Sequence, residues 1–244
     1  MTMGLVVAAV AAAAFVKGAI GFGFPTLGTP LLTLFVDVKT AVVALIVPNI
    51  VMDGLQFARG GAPLAVVRRM GVLVVFGAVG TVVGTRLLVV LPSRAVMLTL
   101  GAFVLGFAAL NVTRLAPRLP PGWEPWCAPV VGLAAGVIGG VTNVPGTPLV
   151  LYFYALGLGK REFVASVAFT FLFYKVVQLA SVAYYGLLTT DLLRLSVVLM
   201  VAAVAAFTVG LRVQDRMDQR AFNRAALGFL AGLGAWLVVR AIWF

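Results

Sequence analysis

The sequence predicts an all-α protein that crosses a membrane several times. Of its 244 residues, 63% are hydrophobic and only 10% are charged, and the mean hydropathy is +1.14. A spanning helix needs about 20 consecutive apolar residues, and the sequence contains several such runs. The alternating segments of about ten residues that form membrane β-barrels are absent from it. A soluble domain could not keep this much apolar surface from water, so an integral membrane protein is predicted.

The charge balance indicates contact with lipid. The chain carries 18 Lys and Arg against 7 Asp and Glu, which gives a net charge of +11 at pH 7. Most of the Arg residues fall in short loops between apolar runs, where they set orientation and contact anionic head groups. No polar region of domain size carries a basic and aromatic cluster, so membrane lipids are expected as partners and nucleic acid is not.

The residue content also limits the chemistry. The chain has no His and a single Cys, Cys127, so we expect no disulfide within the chain and no zinc, haem or iron–sulfur cofactor. An enzyme would need a nucleophile with its base or a set of metal ligands, and neither is evident. The N-terminal stretch lacks a charged beginning, and we interpret it as the first membrane segment rather than a cleaved signal peptide.

The two halves of the chain share one pattern, kept in register from end to end. Such a pattern indicates an internal duplication. We assign residues 1–118 to the first repeat, 119–127 to a polar linker, and 128–244 to the second repeat. The matched positions include Gly18 with Gly136, Gly21 with Gly139, Gly28-Thr29-Pro30 with Gly146-Thr147-Pro148, Asp53 with Lys175, Gln56 with Gln178, and Gly84 with Gly210.

Each half is predicted to contain a broken apolar run followed by three spanning helices. A helix over residues 3–36 would be about 50 Å long, too long for one crossing of a hydrocarbon core about 30 Å thick. Either the run crosses once with an unwound middle, or it enters and returns as a re-entrant hairpin. The runs are 3–36 and 128–157, and the spans are 40–58, 70–90, 95–113, 163–185, 193–211 and 222–242.

Loop charges favour the hairpin. Lys and Arg accumulate on the cytoplasmic side of membrane proteins. With hairpins, the two sides hold five and eleven of the Lys and Arg outside the apolar runs; with full crossings they hold seven and nine. The side with eleven includes Arg59, Arg69, Lys160 and Arg161. Three crossings per half would then place the second copy upside down, which is the inverted-repeat arrangement of many secondary transporters.

Both broken runs contain Gly-Thr-Pro, at 28–30 and 146–148. Thr is a good N-cap and Pro is favoured at the first helical position, so Thr29 and Thr147 are predicted to cap short helices that begin inside the membrane. A helix N-terminus presents unpaired N–H groups and about half a positive charge. Two such termini meeting from opposite copies predict an anion site. The alternative is that these residues only kink helices for close packing, the role expected of Gly80 and Gly84.

Polar side chains inside the spans give a second set of candidates. Asn49, Asp53 and Gln56 share one helical face, and the matched span carries Lys175 and Gln178. Charged groups at this depth usually face a pathway or each other. In one interpretation, Asp53 and Lys175 form an ion pair between the copies. In the other, Lys175 contacts an anionic substrate and Asp53 accepts a proton that couples transport to the proton gradient.

The remaining candidates lie around the breaks. Lys17 either reaches the same cavity or extends along its own stem to a polar edge. Thr142 and Asn143 stand where the first copy has Phe24 and Pro25, so the second copy would supply more hydrogen-bonding groups. The candidate substrate-binding residues are therefore Lys17, Gly28, Thr29, Asn49, Thr142, Asn143, Gly146, Thr147, Lys175 and Gln178, with Asp53 as the proton-coupling candidate.

The stretches GFGFPTLGTPLL and GVIGGVTNVPGTPLVLYFYALGLGKREFVASVAFTFLFYKVVQ resemble the TauE/SafE sulfite exporter-like family, also called toluene sulfonate uptake permeases. The size and the duplicated layout match over essentially the whole chain. The resemblance implies a bacterial inner-membrane secondary transporter for sulfite, sulfonates such as sulfoacetate, or related small sulfur-containing anions. Only Gly28, Thr29, Gly146 and Thr147 match the family motif residue by residue.

Several questions stay open at this stage. The family includes exporters and uptake systems, so the resemblance does not imply a direction. The anion, the coupling ion (a proton or sodium) and the oligomeric state are also open. The alternatives are a passive anion channel and a transporter of an unrelated small carboxylate.

Overall fold

A computed structural model describes residues 2–61, 64–112, 118–120, 122–218 and 221. Within these residues the chain forms ten α-helices and no strand. The helices are α1 Thr2–Ile20, α2 Phe24–Leu32, α3 Val38–Ala44, α4 Ile46–Arg59, α5 Leu64–Val90, α6 Ser93–Val112, α7 Glu124–Thr142, α8 Gly146–Ala155, α9 Lys160–Tyr184 and α10 Thr190–Arg216.

The long helices match the predicted spans and make the chain a multi-pass membrane protein. Six stretches of the described chain are long and apolar enough to cross a bilayer. The predicted spans correspond to α3 with α4, to α5, α6, α9 and α10; the predicted span 222–242 lies outside the described residues. α7 begins at Glu124, inside the predicted linker. The six stretches are Met3–Ile20, Val38–Arg59, Leu64–Val90, Glu124–Thr142, Lys160–Tyr184 and Thr190–Arg216.

Each of the two long runs is broken, as predicted. α1 ends at Ile20 before α2 begins, and α7 ends at Thr142 before α8 begins. The chain turns at residues with left-handed backbone, Gly23 with φ 98° and Asn143 with φ 68°. Glycine adopts this conformation without steric cost, and asparagine is among the few other residues that tolerate it. The break is therefore encoded by different residues in the two copies.

The predicted capping by threonine is wrong. The N-cap of α2 is Gly23, so Thr29 lies inside the helix, and the N-cap of α8 is Pro145, so Thr147 already lies within the first turn. The side chain of Thr147 is outside the described set. A proline fits the first turn of a helix because its missing N–H would have no partner there. Pro25 meets this condition as the second residue of α2, whereas Pro30 lies inside that helix.

α2 returns along α1 after the first break. A Cβ atom added at Gly28, in the middle of α2, would lie 3.6 Å from the Cβ of Ala13, which is well before the end of α1. The same added atom would lie 3.4 Å from Leu45, at the junction of α3 and α4. Gly28 therefore serves close packing between these helices.

Glycines allow two helix pairs to touch backbone to backbone. α7 packs along α5, and a Cβ added at Gly136 would collide with the backbone oxygen of Gly77 and lie 2.8 Å from the Thr81 nitrogen. α1 packs along α10 in the same way, through Gly18 and Gly210. Small residues at such spacings are the usual means of close helix packing in membranes. The packing role predicted for Gly80 and Gly84 is confirmed; Gly228 and Gly232, for which the same role is expected, lie outside the described residues.

This packing gives a stability prediction. Gly136→Ala is expected to lower the thermal unfolding midpoint, because the new methyl group meets fixed backbone and overpacking costs about 1–3 kcal/mol. Gly71→Ala is the matched control, since nothing lies within 4 Å of a Cβ at that position of α5. Unfolding followed by tryptophan fluorescence in detergent would compare them. Equal midpoints for the two variants would contradict the close approach of α5 and α7.

One end of the bundle gathers charged contacts, and we call it the basic end. It consists of the C-terminal residues of α4 and α10 and the N-terminal residues of α5, α7 and α9. Arg69 binds Glu124 and Glu162, each at 2.8 Å, and Arg59 pairs with Asp215. The arginines in these contacts are among the eleven cations that the hairpin arrangement places on one side of the membrane. Two more members contact backbone oxygens there: Lys160 binds Gln214 O and Met217 O, and Arg161 binds Gly60 O.

Candidate functional site

The two helix breaks meet inside the protein. A Cβ added at Gly146, the first residue of α8, would lie 3.5 Å from Thr26 Oγ1 in the first turn of α2. Asn143 Nδ2 donates a hydrogen bond to Thr29 Oγ1 at 3.2 Å, which joins the second break to α2. The first N–H groups of any helix lack acceptors within that helix. The N-termini of α2 and α8 thus bring two sets of such groups close together.

Lys175 lies at this junction and is surrounded by neutral oxygens. Its ammonium donates to the backbone oxygen of Asn143 at 3.3 Å, to Asn143 Oδ1, and to Gln178 Oε1 at 2.6 Å. Only 1% of the residue is exposed, and the salt bridges of the described chain do not include it. A buried charge is costly without an opposite charge, so this ammonium favours a bound anion.

Lys17 and Asp53 form a fully buried ion pair. Lys17 Nζ lies 2.5 Å from Asp53 Oδ1 and 3.3 Å from Asn49 Oδ1. The interpretation in which Asp53 and Lys175 form an ion pair is therefore wrong. α1 packs along α10, which also packs against α4, and Lys17 in the last turn of α1 reaches the carboxylate. Because Lys17 is 0% exposed, its predicted extension to a polar edge is also wrong.

Phe171 links the ion pair to the helix junction. Its ring centroid lies 5.6 Å from Lys17 Nζ. Its ring tip would lie 3.6 Å from a Cβ added at Gly146. The two ammonium groups, one carboxylate and two helix N-termini therefore occupy one buried region. Its balance of formal charge and dipoles is positive, which suits a small oxyanion.

At each helix break, the side-chain amide of a glutamine donates a hydrogen bond to a backbone oxygen of the break. Gln56 Nε2 donates to the backbone oxygen of Gly21 at 3.0 Å, and Gln178 Nε2 donates to that of Gly139 at 3.2 Å. The two glutamines are matched positions of the repeat, and so are the two glycines. Gln56 was noted on the polar face of its span but was not included among the candidate binding residues. Its match to Gln178, which was included, is the signal that could have identified it.

The predicted residues divide into three groups. Thr29, Asn143, Gly146, Lys175 and Gln178 lie together at the junction, and Lys17, Asn49 and Asp53 form the neighbouring cluster. A Cβ added at Gly28 would instead contact Leu45, Ala13 and Phe24. Thr142 has a local role, because its hydroxyl donates to Ile138 O at 2.7 Å and accepts from Val144 N at 3.2 Å. Thr26 and Phe171 were missed because no local pattern marks them.

A cavity of about 740 Å³ opens at the basic end. Its lining includes Gln56, Arg59, Lys160, Arg161 and Gln214. Because Gln56 also binds the Gly21 oxygen, the cavity reaches the first helix break. No sequence pattern predicted this cavity, since it depends on how the ends of three helices, α4, α9 and α10, pack together.

The family comparison agrees with this architecture. The model described as "Sulfite exporter TauE/SafE" matches residues 5–237 of the chain. No curated protein and no solved structure matches the chain significantly. The match spans both helix breaks, both buried lysines and the cavity. The chain therefore belongs to the TauE/SafE sulfite exporter family of membrane transporters.

Proposed function

We propose that the protein is a secondary transporter that moves sulfite, an organosulfonate or a related small sulfur oxyanion across the bacterial inner membrane by alternating access. The observation that carries this proposal is the meeting of two helix N-termini beside Lys175. Sulfite and sulfonate groups present oxygens that accept hydrogen bonds from amides and from an ammonium group. The family match supports sulfur oxyanions as the substrate class.

An inverted repeat of two re-entrant hairpins would provide the moving parts. The helices α4 and α9, which occupy matched positions in the two halves, pack against each other in antiparallel directions. Phe57, near the end of α4, packs on Phe169 in the middle of α9 with ring centroids 5.3 Å apart, and Ile46, the first residue of α4, shares an apolar cluster with Val182, near the end of α9. The pairing of α1 with α10 repeats as that of α7 with α5. Both observations support halves of opposite orientation, which could rock about the junction.

The contacts of Asp53 support a proposed role in proton coupling. Asp53 Oδ1 holds Lys17, while Oδ2 is buried with no hydrogen-bond partner in the described protein. A proton on this carboxyl group would weaken its attraction for Lys17. The freed ammonium could then bind the substrate anion, so that proton and anion bind together. Sodium is the alternative coupling ion.

Purified protein in liposomes would test the transport function. Sulfite, thiosulfate, sulfate and sulfoacetate would be screened under imposed proton and sodium gradients. We expect one of these ions to accumulate against its concentration under a gradient. A passive channel would only equilibrate it, and absence of flux for all four would contradict the substrate class.

A substitution at the junction ties the transport to the site. Gly146→Leu is expected to lower flux at least about ten-fold, because its side chain would fill the space between Thr26 and Phe171. Gly146→Ala is the control, since its Cβ would sit at ordinary contact distances of 3.5 and 3.6 Å. Unchanged flux in Gly146→Leu would remove the junction from the mechanism.

A further inference from the structure

Buried polar atoms without partners are concentrated between the cavity and the ion pair. Of the seven such side-chain atoms in the described protein, six lie on α4, α9 and the end of α10. A buried polar group without a partner costs about 1–3 kcal/mol, so native proteins rarely keep one away from water. The six are Asn49 Nδ2, Asp53 Oδ2, Gln56 Oε1, Ser166 Oγ, Thr170 Oγ1 and Gln214 Nε2.

These atoms follow a line. Asn49, Asp53 and Gln56 share one face of α4, and seven residues at 1.5 Å each give a length of about 10 Å. Ser166 and Thr170 lie one turn apart on the facing helix α9. Gln214 lines the cavity, and its amide nitrogen would lie 3.3 Å from a Cβ added at Gly21, beside Gln56. The line therefore begins in the cavity and ends at the ion pair of Lys17 and Asp53.

At the opposite end of α4 and α9, the buried side chains are apolar. Val43, Ile46 and Val182 form an apolar cluster there, each at most 1% exposed. The two buried serines nearby have partners: Ser181 donates to Val177 O at 2.8 Å, and Ser196 donates to Ala44 O at 2.7 Å. We call this cluster the apolar plug. It offers no hydrogen bond to a passing ion.

We propose that the six atoms line a polar pathway, which admits water and through which the anion passes between the cavity at the basic end and the buried lysines, while the apolar plug closes the other end. The occupant, a small sulfur oxyanion, rests on the proposed function. Four of the six atoms can donate hydrogen bonds in place of part of an anion's hydration shell, namely Asn49 Nδ2, Ser166 Oγ, Thr170 Oγ1 and Gln214 Nε2, whereas Gln56 Oε1 and Asp53 Oδ2 accept. Three cations and two carboxylates line the cavity, so its net charge is positive and attracts anions.

Cysteine labelling can detect this pathway, because Cys127 is the only cysteine in the sequence. In a Cys127→Ser background, Ser166→Cys and Thr170→Cys would be treated with 2-sulfonatoethyl methanethiosulfonate, a membrane-impermeant anionic reagent. Val182→Cys in the apolar plug is the matched control on the same helix. Ser166→Cys changes one atom, which keeps the test usable if Thr170→Cys folds poorly. Detergent-solubilised protein exposes both ends to the reagent.

We expect both pathway cysteines to react at least about ten-fold faster than Val182→Cys. They should also prefer the anionic reagent over its trimethylammonium analogue, after both rates are divided by those with 2-mercaptoethanol, because the cavity is positive. Pathway cysteines that react as slowly as Val182→Cys, in protein that still transports sulfite, would overturn the pathway and leave the transport function standing. Fast labelling in protein that transports no sulfur oxyanion would overturn the substrate and so the occupant proposed here.

Discussion

Lys175→Gln is expected to weaken sulfite binding by about 30-fold or more while the protein stays folded. The ammonium of Lys175 is buried among neutral oxygens, so its charge is available to a bound anion. Truncating one partner of a buried, hydrogen-bonded charge pair costs about 2–5 kcal/mol, and each 1.4 kcal/mol is a factor of ten in affinity. Glutamine keeps an amide donor of similar reach, which preserves contacts with Asn143. Titration calorimetry in detergent would measure the affinity.

Lys39→Gln is the matched control for this variant. Lys39 also donates to a backbone oxygen, Val89 O at 2.9 Å, but it lies outside both clusters of the candidate site. Its replacement should leave sulfite affinity unchanged. An unchanged affinity in Lys175→Gln as well would return Lys175 to a purely structural role.

The pair of Lys17 and Asp53 gives the second large effect. Lys17→Met and Asp53→Leu are each expected to destabilise the protein by about 3–5 kcal/mol, because each leaves the other charge buried without its partner. The double variant should recover most of the lost stability, since an apolar pair of similar volume can replace a buried ion pair. Thermal unfolding of the four proteins forms a double-mutant cycle. Arg194→Gln, in an exposed pair with Asp191, is the control and should change stability by less than about 1 kcal/mol.

Transport measurements separate the contribution of Asp53 to stability from its proposed role in proton coupling. The stable double variant should lose the acceleration of sulfite uptake by an imposed pH gradient, and so should Asp53→Asn where it folds. Gradient dependence that persists in a folded Asp53 variant would rule out proton coupling at this residue. Additive destabilisation in the cycle would show that the two side chains do not interact.

The spans and the breaks could be predicted because both depend on local sequence. Apolar runs define the spanning helices, and Gly, Asn and Pro near residues 23 and 143 stop a helix wherever it lies. The helix starts were misplaced because each break offers two prolines with similar local signals, and each helix begins at the earlier one, Pro25 in α2 and Pro145 before α8. A prediction from the Gly-Thr-Pro motif alone leaves the earlier proline out of account.

The ion pair shows why contacts were harder to predict than positions. Repeat alignment matched Asp53 with Lys175, but matched residues occupy equivalent places in two copies and need not touch. The actual partner, Lys17, lies on α1, which packs along α10, a neighbour of α4. The contact of Gln56 with Gly21 is the opposite case. It repeats as Gln178 with Gly139, and the alignment already contained both pairs.

The two copies contribute unequally to the site. The second break supplies Asn143, which contacts both Thr29 and Lys175, whereas the first break has the buried ring of Phe24 near the matched position. The first copy instead supplies Lys17 and the only carboxylate of the cluster among the described residues. The second copy therefore supplies Asn143 and Lys175 to the proposed anion site, which the helix N-termini of both copies share, and the first copy supplies the proposed coupling pair.

Anomalous diffraction from crystals grown with selenite, a heavier analogue of sulfite, would test the anion site directly. A Cys127→Ser protein avoids reaction of selenite with the thiol. We expect one selenium peak within about 4 Å of Lys175 Nζ and of the first backbone nitrogens of α2 and α8. A peak remote from both helix N-termini, or none in crystals of protein that binds selenite in solution, would contradict an anion site at the meeting of the two breaks.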